Sequence, residues 1–299
     1  MYNKKIPVIL DTDIGLDIDD TWALGFLLKC PELDVKLITT SSNDTLLKAK
    51  HVAKFLEIMG RTDIPIGIGP KSNNKKGWLY PWIKDYDISR YPGIVLNNGI
   101  KALCSTIIDS SEPITLISIG PLETIAGALK VNPSITENSR FVGMQGSIRI
   151  GYRGSNRILP EYNVKKNIAA SREVFQASWE KTITPLDTCG NIVLSGELLE
   201  RFNACDNALV STIKENYEIW KKKFFPKVFL IKNETSVLFD VVAIYLGFSE
   251  ELLNIEELNI EITDRGLTEI SEKGNLIRCA TSWKDKEEFK KLLVDRLTN

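Results

Sequence analysis

Five aspartates fall within ten residues near the start of the chain, directly behind a short apolar run, Val8–Leu10. The run predicts a buried strand, because it is brief, partly β-branched and followed by turn residues. The residues behind the acids, Thr21–Leu28, have the apolar spacing of a helix. The acids therefore lie in a turn between a strand and a helix. They are Asp11, Asp13, Asp17, Asp19 and Asp20.

So many carboxylates in one turn repel one another unless a cation neutralises them or some stay protonated. Ligands that offer only oxygen favour a hard cation, calcium or magnesium. An EF-hand loop is excluded, because counting from Asp11 puts Gly15 at the fifth position and Trp22 in place of the closing glutamate. A phosphotransferase site of the haloacid-dehalogenase type, with Asp11 as nucleophile, leaves the last three acids unexplained. Helix capping explains one or two acids, but not Asp11 and Asp13 as well.

Strand-like and helical segments alternate over most of the 299 residues, without a repeat or a linker-like change of composition. This alternation predicts an α/β fold with a mostly parallel open sheet, a Rossmann-like core and helices on both faces. We expect a single domain over residues 1–299. Ligands of such sheets bind at the carboxyl ends of the strands, where the loop acids and amides of this chain also collect. Further predicted strands include Val35–Thr40, Ile64–Ile68, Ile114–Ile119, Phe141–Met144, Thr182–Leu186, Leu258–Thr263 and Asn275–Ala280, and predicted helices include Thr45–Met59, Asn98–Ser110, Ser171–Trp179, Asn207–Lys223 and Glu234–Leu246.

A formal net charge of -1 with 26 % charged residues gives no electrostatic reason to expect a nucleic acid or a membrane surface as partner. No apolar run approaches the roughly 20 residues that span a bilayer, and the N-terminal run is too short for a signal peptide. The five cysteines are widely scattered and form no C-x-x-C pair. They indicate reduced thiols in a cytoplasmic protein rather than a zinc site or a disulfide framework.

The turn Asp11–Asp20 resembles the N-terminal signature of the inosine–uridine-preferring nucleoside hydrolases, in a longer form with two residues inserted before the closing acid pair. Further segments are similar to family motifs and keep the family's order over nearly the whole chain. The resemblance implies the nucleoside hydrolase fold and the cleavage of N-ribosides by water with one calcium ion. These segments are Thr39–Thr45, Ile114–Leu122, Met144–Gly146, Glu161–Asn163 and Leu238–Asp240.

In this family, aspartates and one main-chain carbonyl hold the calcium ion, which binds the ribose hydroxyls and the attacking water. By resemblance, Asp13 is both a ligand and the general base. Asp20 matches the second ligand of the turn, and Asp240 matches the late ligand. The carbonyl ligand falls on Ile119, whose side chain hardly matters because the main-chain oxygen coordinates.

The resemblance also assigns residues around the metal and the ribose. Asp19 matches the acid beside the ribose, but the inserted residues leave Asp17 competing with Asp19 or Asp20 for these roles. Asp11 is expected not to bind the metal itself but to orient the residues that do. The remaining candidates for ribose contacts are Asp44, Met144, Asn156 (or its neighbour Ser155), Glu161 and Asn163.

The residues expected around the leaving base differ from those of the studied family members. Studied members that prefer inosine and uridine protonate the leaving base with a histidine directly before the last aspartate, where this chain has Phe239. Its only histidine, His51, lies on a predicted helix whose lysines Lys48, Lys50 and Lys54 are expected in solvent, and we expect it to be structural. Because histidine is the usual proton donor near neutral pH, leaving-group activation must differ or be weak. Some relatives stack the purine between tryptophans, for which the candidates here are Trp78, Trp82 and Trp220, with Tyr80, Tyr86, Tyr217, Phe224 and Phe225 as further aromatic residues.

Together these features predict a calcium-dependent hydrolase that splits a ribonucleoside into ribose and free base, with Asp13 as general base on a calcium-bound water. One alternative is a riboside-binding protein with lost or weak hydrolase activity. Another is a hydrolase of a non-standard N-riboside. The resemblance also implies a homodimer or homotetramer and a role in the breakdown of purine or pyrimidine nucleosides.

Overall fold

The apolar run before the acidic turn forms a central strand of the sheet, β1 (Ile6–Thr12), which is buried in every residue but Ile6. The computed structural model describes residues 4–224 and 233–299, and within them the sheet has ten strands. The others are β2 (Leu33–Thr40), β3 (Ile66–Ile68), β4 (Val95–Leu96), β5 (Ile114–Ser118), β6 (Ser139–Met144), β7 (Lys181–Thr184), β8 (Leu253–Ile262), β9 (Thr268–Ile270) and β10 (Asn275–Trp283).

The strand order confirms the predicted mostly parallel sheet. It runs β4-β3-β2-β1-β5-β6-β7-β10-β8-β9, and every pairing from β4 to β10 is parallel. Only the far edge is antiparallel, where β8 pairs with β10 and β9 with β8. The chain leaves β1 towards β4 and then returns to β5 on the other side of β1. The order therefore reverses between β1 and β5, the position at which open α/β sheets form a ligand crevice.

Helices cover both faces of the sheet, as predicted. Successive residues of a strand point to opposite faces, and accordingly Val8 and Leu10 belong to one buried apolar layer and Ile9 to the other. No helix in the described part of the chain is both long and apolar enough to cross a membrane. The helices are α1 (Asp19–Leu28), α2 (Thr45–Ile58), α3 (Tyr80–Ile83), α4 (Gly99–Ile108), α5 (Glu123–Val131), α6 (Tyr162–Lys166), α7 (Ile168–Gln176), α8 (Leu186–Cys189), α9 (Gly196–Ala204), α10 (Ala208–Phe224), α11 (Val241–Leu246) and α12 (Lys286–Thr298).

The predicted helix Glu234–Leu246 is wrong in its first half, because α11 begins only at Val241. Before it, the main chain pairs with the segment that precedes α9, and the N–H of Thr235 donates to the carbonyl of Leu194. This pairing extends the chain and leaves Asp240 as the N-cap residue of α11. Apolar spacing within the segment cannot show it, since the partner is distant in the sequence.

The lysines of α2 also differ from the prediction that all of them lie in solvent. Lys48 is only 5 % exposed, and its ammonium group donates to the main-chain carbonyls of Asp13 and Ile14. Lys54 donates to the carbonyl of Trp82 at 2.7 Å. Helix α2 is thus tied to the acidic turn through Lys48.

Candidate active site

A cavity of about 270 Å³ lies at the carboxyl end of the sheet, beside the reversal of strand order between β1 and β5. It gathers side chains from the acidic turn, from the loop before α3, from the segment between β6 and α6, and from the start of α11. Its acidic lining residues are Asp13, Asp17, Asp19, Asp20, Glu161 and Asp240, and its aromatic ones are Trp78, Tyr152, Tyr162 and Phe239.

Three carboxylates meet where the N-termini of α1 and α11 approach each other. One ligand oxygen from each of Asp19, Asp20 and Asp240 lies within 4.8 Å of the other two, and all three residues are buried. Oδ1 of Asp20 accepts a hydrogen bond from the Thr12 hydroxyl at 2.5 Å. Burial, followed by repulsion from the neighbouring acids, raises the pKa of all three carboxyls well above the ordinary value.

Asp13 and Asp11 lie at the end of β1, with Asp13 facing the cavity and Asp11 behind it. Oδ2 of Asp13 is buried and has no hydrogen-bond partner among the described residues. Burial raises the pKa of Asp13 to about 6, although the ammonium group of Lys48 opposes the shift. Asp11 accepts a hydrogen bond from the Thr39 hydroxyl at 2.6 Å, and burial raises its pKa to about 8.

The candidate carbonyl ligand and the candidate ribose residues also face the cavity. Nδ2 of Asn163 donates to the main-chain oxygens of Ile119 at 3.3 Å and Met144 at 3.1 Å. Glu161 caps α6, where its carboxylate accepts the N–H groups of Gly146, Asn163 and Val164. Burial raises the pKa of Glu161 to about 7, against these three hydrogen bonds. Glu161 is thus held in one orientation by the loops after β6.

Asp17 lines the cavity but is engaged with α10. Its Oδ1 accepts hydrogen bonds from Nε1 of Trp220 at 2.6 Å and from the N–H of Ile18 at 2.7 Å. Trp220 itself does not line the cavity. The hydrogen bond therefore connects the acidic turn to α10 and favours an orienting role for Asp17 over a place among the metal ligands.

The aromatic candidates separate into two groups. Trp78 lines the cavity, whereas Trp82 donates from Nε1 to Glu215 at 2.9 Å and packs against His51. Sequence reasoning missed Tyr152, which lies edge-on to Phe239 with ring centroids 6.0 Å apart. The only sequence signal for Tyr152 was its place as an aromatic residue in the loop rich in glycine and arginine that precedes Glu161. Phe225 and the side chain of Phe224 lie outside the described residues.

Two further candidates lie away from the cavity lining. Asp44 caps α2, with its carboxylate accepting the N–H of Leu47, and forms an ion pair with Lys71 at 2.6 Å. Asn156 is exposed and is not among the residues around the cavity. Neither position supports direct contact with a ligand in this conformation.

His51 is packed behind the acidic turn. It is 1 % exposed, and burial lowers its pKa to about 3. Its Nδ1 lies 3.2 Å from the point where a Cβ would stand on Gly15, and its ring packs on Trp82. His51 is therefore neutral at physiological pH and has a structural position, which leaves the described cavity without a histidine.

The loop before α3 covers the acidic turn at Gly77. The N–H of Leu79 donates to the carbonyl of Gly15 at 3.1 Å, and a methyl group on Gly77 would stand 1.9 Å from that oxygen. A main-chain carbonyl cannot move aside as the end of a flexible side chain can. We therefore expect Gly77→Ala to lower the free energy of unfolding by about 1–3 kcal/mol. Urea unfolding measures this. The matched control is Gly127→Ala in α5, where the new methyl meets only the end of the Ile100 side chain, and equal losses for both variants would contradict the expectation.

The donor set fits a hard divalent cation. The three clustered carboxylates, Asp13 with its unpartnered buried Oδ2, and the carbonyl of Ile119 offer only oxygen ligands, which is the chemistry that calcium and magnesium prefer. A cation between the carboxylates would also offset the repulsion that raises their pKa. The residues present therefore support a metal site.

Comparison with known proteins agrees with this geometry. The sequence profile of the inosine-uridine preferring nucleoside hydrolases matches residues 8–293. The chain belongs to this family. It is a hydrolase that acts on N-glycosyl bonds, and its substrates are nucleosides. This nucleoside hydrolase is 29 % identical over 227 residues to the pyrimidine-specific ribonucleoside hydrolase RihA of Escherichia coli O9:H4 (strain HS), and the alignment covers 70 % of each chain.

Solved structures show the same fold for this nucleoside hydrolase. A plant nucleoside hydrolase, PpNRh1, has a TM-score of 0.84 at 19 % identity and covers 99 % of both chains. The purine-preferring ribonucleoside hydrolase from Gardnerella vaginalis has a TM-score of 0.81 at 18 % identity and covers 98 % of both chains. The Gardnerella vaginalis enzyme is named for purines and RihA for pyrimidines, so likeness to these proteins does not select a base for this chain.

Proposed function

We propose that this protein hydrolyses the N-glycosidic bond of a ribonucleoside to ribose and free base, with calcium as its cofactor and Asp13 as the general base. The observation that carries the proposal is the buried cluster of Asp19, Asp20 and Asp240, whose oxygens lie within 4.8 Å of one another in the same cavity as Asp13. Burying so many carboxylates together is costly unless a cation binds them.

The proposed ligands are Asp13, Asp20, Asp240 and the main-chain oxygen of Ile119. We add Asp19 to them in place of Asp17, because Asp19 belongs to the cluster while Asp17 is hydrogen-bonded to α10. When bound, calcium would lower the pKa of a coordinated water and help to orient the ribose hydroxyls.

Asp13 is suited to accept the proton of the attacking water. Asp13 lines the cavity, its buried Oδ2 has no hydrogen-bond partner among the described residues, and burial raises its pKa to about 6. A base with a pKa near the working pH is efficient in proton transfer. As the glycosidic bond breaks, the ribose ring gains positive charge, which the surrounding carboxylates stabilise.

Glu161 and Asn163 are proposed to bind the ribose. Glu161 is 2 % exposed and Asn163 is 5 % exposed, and each is anchored by hydrogen bonds to the main chain of the loops around it. Anchoring before substrate arrives reduces the entropy lost on binding. Met144 and Asp19 complete the lining on this side.

The leaving-group side favours a second candidate function, a riboside-binding protein with weak turnover or a hydrolase of a non-standard riboside. Phe239 stands directly before Asp240, and the chain's only histidine is buried outside the cavity with a lowered pKa. The aromatic side chains of Trp78, Tyr152 and Phe239 can pack against a flat base, but Phe239 carries no proton to donate.

A panel of ribosides tests the proposal. We expect turnover of at least one purine or pyrimidine nucleoside, faster turnover of nitrophenyl riboside, whose leaving group needs no protonation, and loss of all activity in a chelator with recovery on adding calcium. Binding of ribosides without turnover would favour the binding protein. If titration with calcium shows no binding, the proposed cofactor and mechanism are wrong.

The homodimer or homotetramer and the role in nucleoside breakdown are proposals that rest on the family resemblance, and the cytoplasmic location is a proposal that rests on the cysteine pattern. The cysteines are compatible with a reducing compartment, because all five are free in the structure. Sedimentation equilibrium gives the oligomeric state directly.

A further inference from the structure

Lys48 occupies a position that helix formation does not explain. It lies in the first turn of α2, which begins at Thr45, and a cation there opposes the helix dipole. Lysine is also rarely buried without a partner, yet Lys48 is only 5 % exposed. The reason for its position must therefore lie in what its ammonium group contacts.

The contacts of Lys48 are to the main chain of the acidic turn. Its Nζ donates to the carbonyl of Asp13 and, at 3.4 Å, to that of Ile14. The next carbonyl, that of Gly15, accepts the N–H of Leu79. Three successive carbonyls beyond the end of β1 are thus held by groups from other parts of the fold, and Lys48 holds the two that define the path of the chain at Asp13.

We propose that Lys48 is a positioning residue, whose ammonium group holds the main chain at Asp13 and Ile14 so that the Asp13 carboxylate faces the cavity. The proposal rests on the proposed function for the role of Asp13, while the conformational part stands without it. Asp13, Asp20, Lys166 and Glu123 are the charged groups that interact with Lys48.

Two roles for Lys48 predict opposite results for metal affinity. As a bare positive charge beside a cation site, Lys48 would repel calcium, and its removal would tighten calcium binding. As a tether of the turn, it keeps ligands in place, and its removal would weaken binding. The sign of the change therefore separates the two roles.

The experiment compares Lys48→Met, Lys48→Arg and the matched control Lys50→Met, which makes the same substitution two residues further along α2. Calorimetric titration with calcium measures the affinity, and thermal unfolding verifies that each variant is folded. We expect Lys48→Met to weaken calcium binding roughly 10–100-fold, as removal of an orienting partner does. Lys48→Arg should recover most of the affinity, and Lys50→Met should match wild type. Equal or tighter binding by Lys48→Met overturns the proposal.

Amide hydrogen exchange provides a readout independent of calcium and of activity. In chelator, peptides that cover residues 12–18 should exchange faster in Lys48→Met than in wild type or Lys50→Met, because the turn opens more often. Unchanged exchange in these peptides overturns the proposal whatever the calcium result. If wild type binds no calcium, the proposed function fails, and the exchange experiment alone decides the role of Lys48.

Discussion

Replacement of Asp13 by asparagine is expected to lower kcat for every riboside by about 10²–10⁴-fold, the usual contribution of a general base. Asparagine keeps the shape of the side chain but cannot accept the proton of the attacking water. It also removes one carboxylate from a buried acidic site. Because burial raises the pKa of Asp13 to about 6, the metal-free variant should be at least as stable as wild type at pH 8.

The control for Asp13→Asn is Asp63→Asn, which makes the same chemical change at a carboxylate that is 63 % exposed and paired with Arg61. Its kcat should equal that of wild type. Steady-state kinetics with nitrophenyl riboside, together with urea unfolding of both variants, separates lost chemistry from lost structure. If Asp13→Asn keeps more than a tenth of the wild-type kcat, Asp13 is not the general base.

The second large effect is a loss of stability of the metal-free protein as the pH rises from about 5 to 8. Burial raises the pKa of Asp11 to about 8, of Asp13 to about 6 and of Glu161 to about 7, whereas in the unfolded chain these groups titrate near pH 4. In this window the folded protein binds more protons than the unfolded one, so the free energy of unfolding falls as the pH rises. We expect a loss of at least ~3 kcal/mol.

Calcium should largely remove this pH dependence, because a bound cation stabilises the ionised carboxylates and binds only the folded state. Thermal unfolding at pH 5.5 and pH 8, in chelator and in calcium, measures the effect. The melting temperature in chelator should be lower at pH 8 by roughly 6–12 °C, and calcium should raise it mainly at pH 8. Asp11→Asn, which removes the largest of the three shifts, should reduce the decline in chelator. A metal-free protein as stable at pH 8 as at pH 5.5 would contradict the buried acidic site.

The acidic part of the candidate site could be predicted from local sequence signals, whereas Ile119, Glu161, Asn163 and Asp240 were assigned by the family resemblance. The strand before Asp11 and the helix after Asp20 follow from apolar spacing alone, and the structure has β1 and α1 in those places. A parallel sheet aligns the carboxyl ends of its strands, so loop residues far apart in the chain were expected at one rim. Asp13 behind β1 and Ile119 behind β5 line one cavity, which agrees with that expectation.

Pairing with distant segments accounts for what the sequence could not show. The extended chain before Asp240 exists because Thr235 bonds to Leu194. Trp78 and Trp82 are close in sequence and equal in chemistry, yet only Trp78 lines the cavity, because Trp82 is held by Glu215 on α10. Side-chain type alone does not tell which of two neighbouring residues faces a ligand.

In the acidic turn, local sequence patterns and tertiary packing account for different features. By itself, the sequence determined a strand, a turn of five carboxylates and a helix, since apolar spacing and local charge density are properties of adjacent residues. Only the tertiary structure decided that Asp19 rather than Asp17 joins Asp20 and Asp240, that Asp17 pairs with Trp220, and that Lys48 lies buried under the turn. These outcomes depend on how helices from distant parts of the chain pack onto one sheet, and a buried charge keeps its place only where such packing brings it a partner.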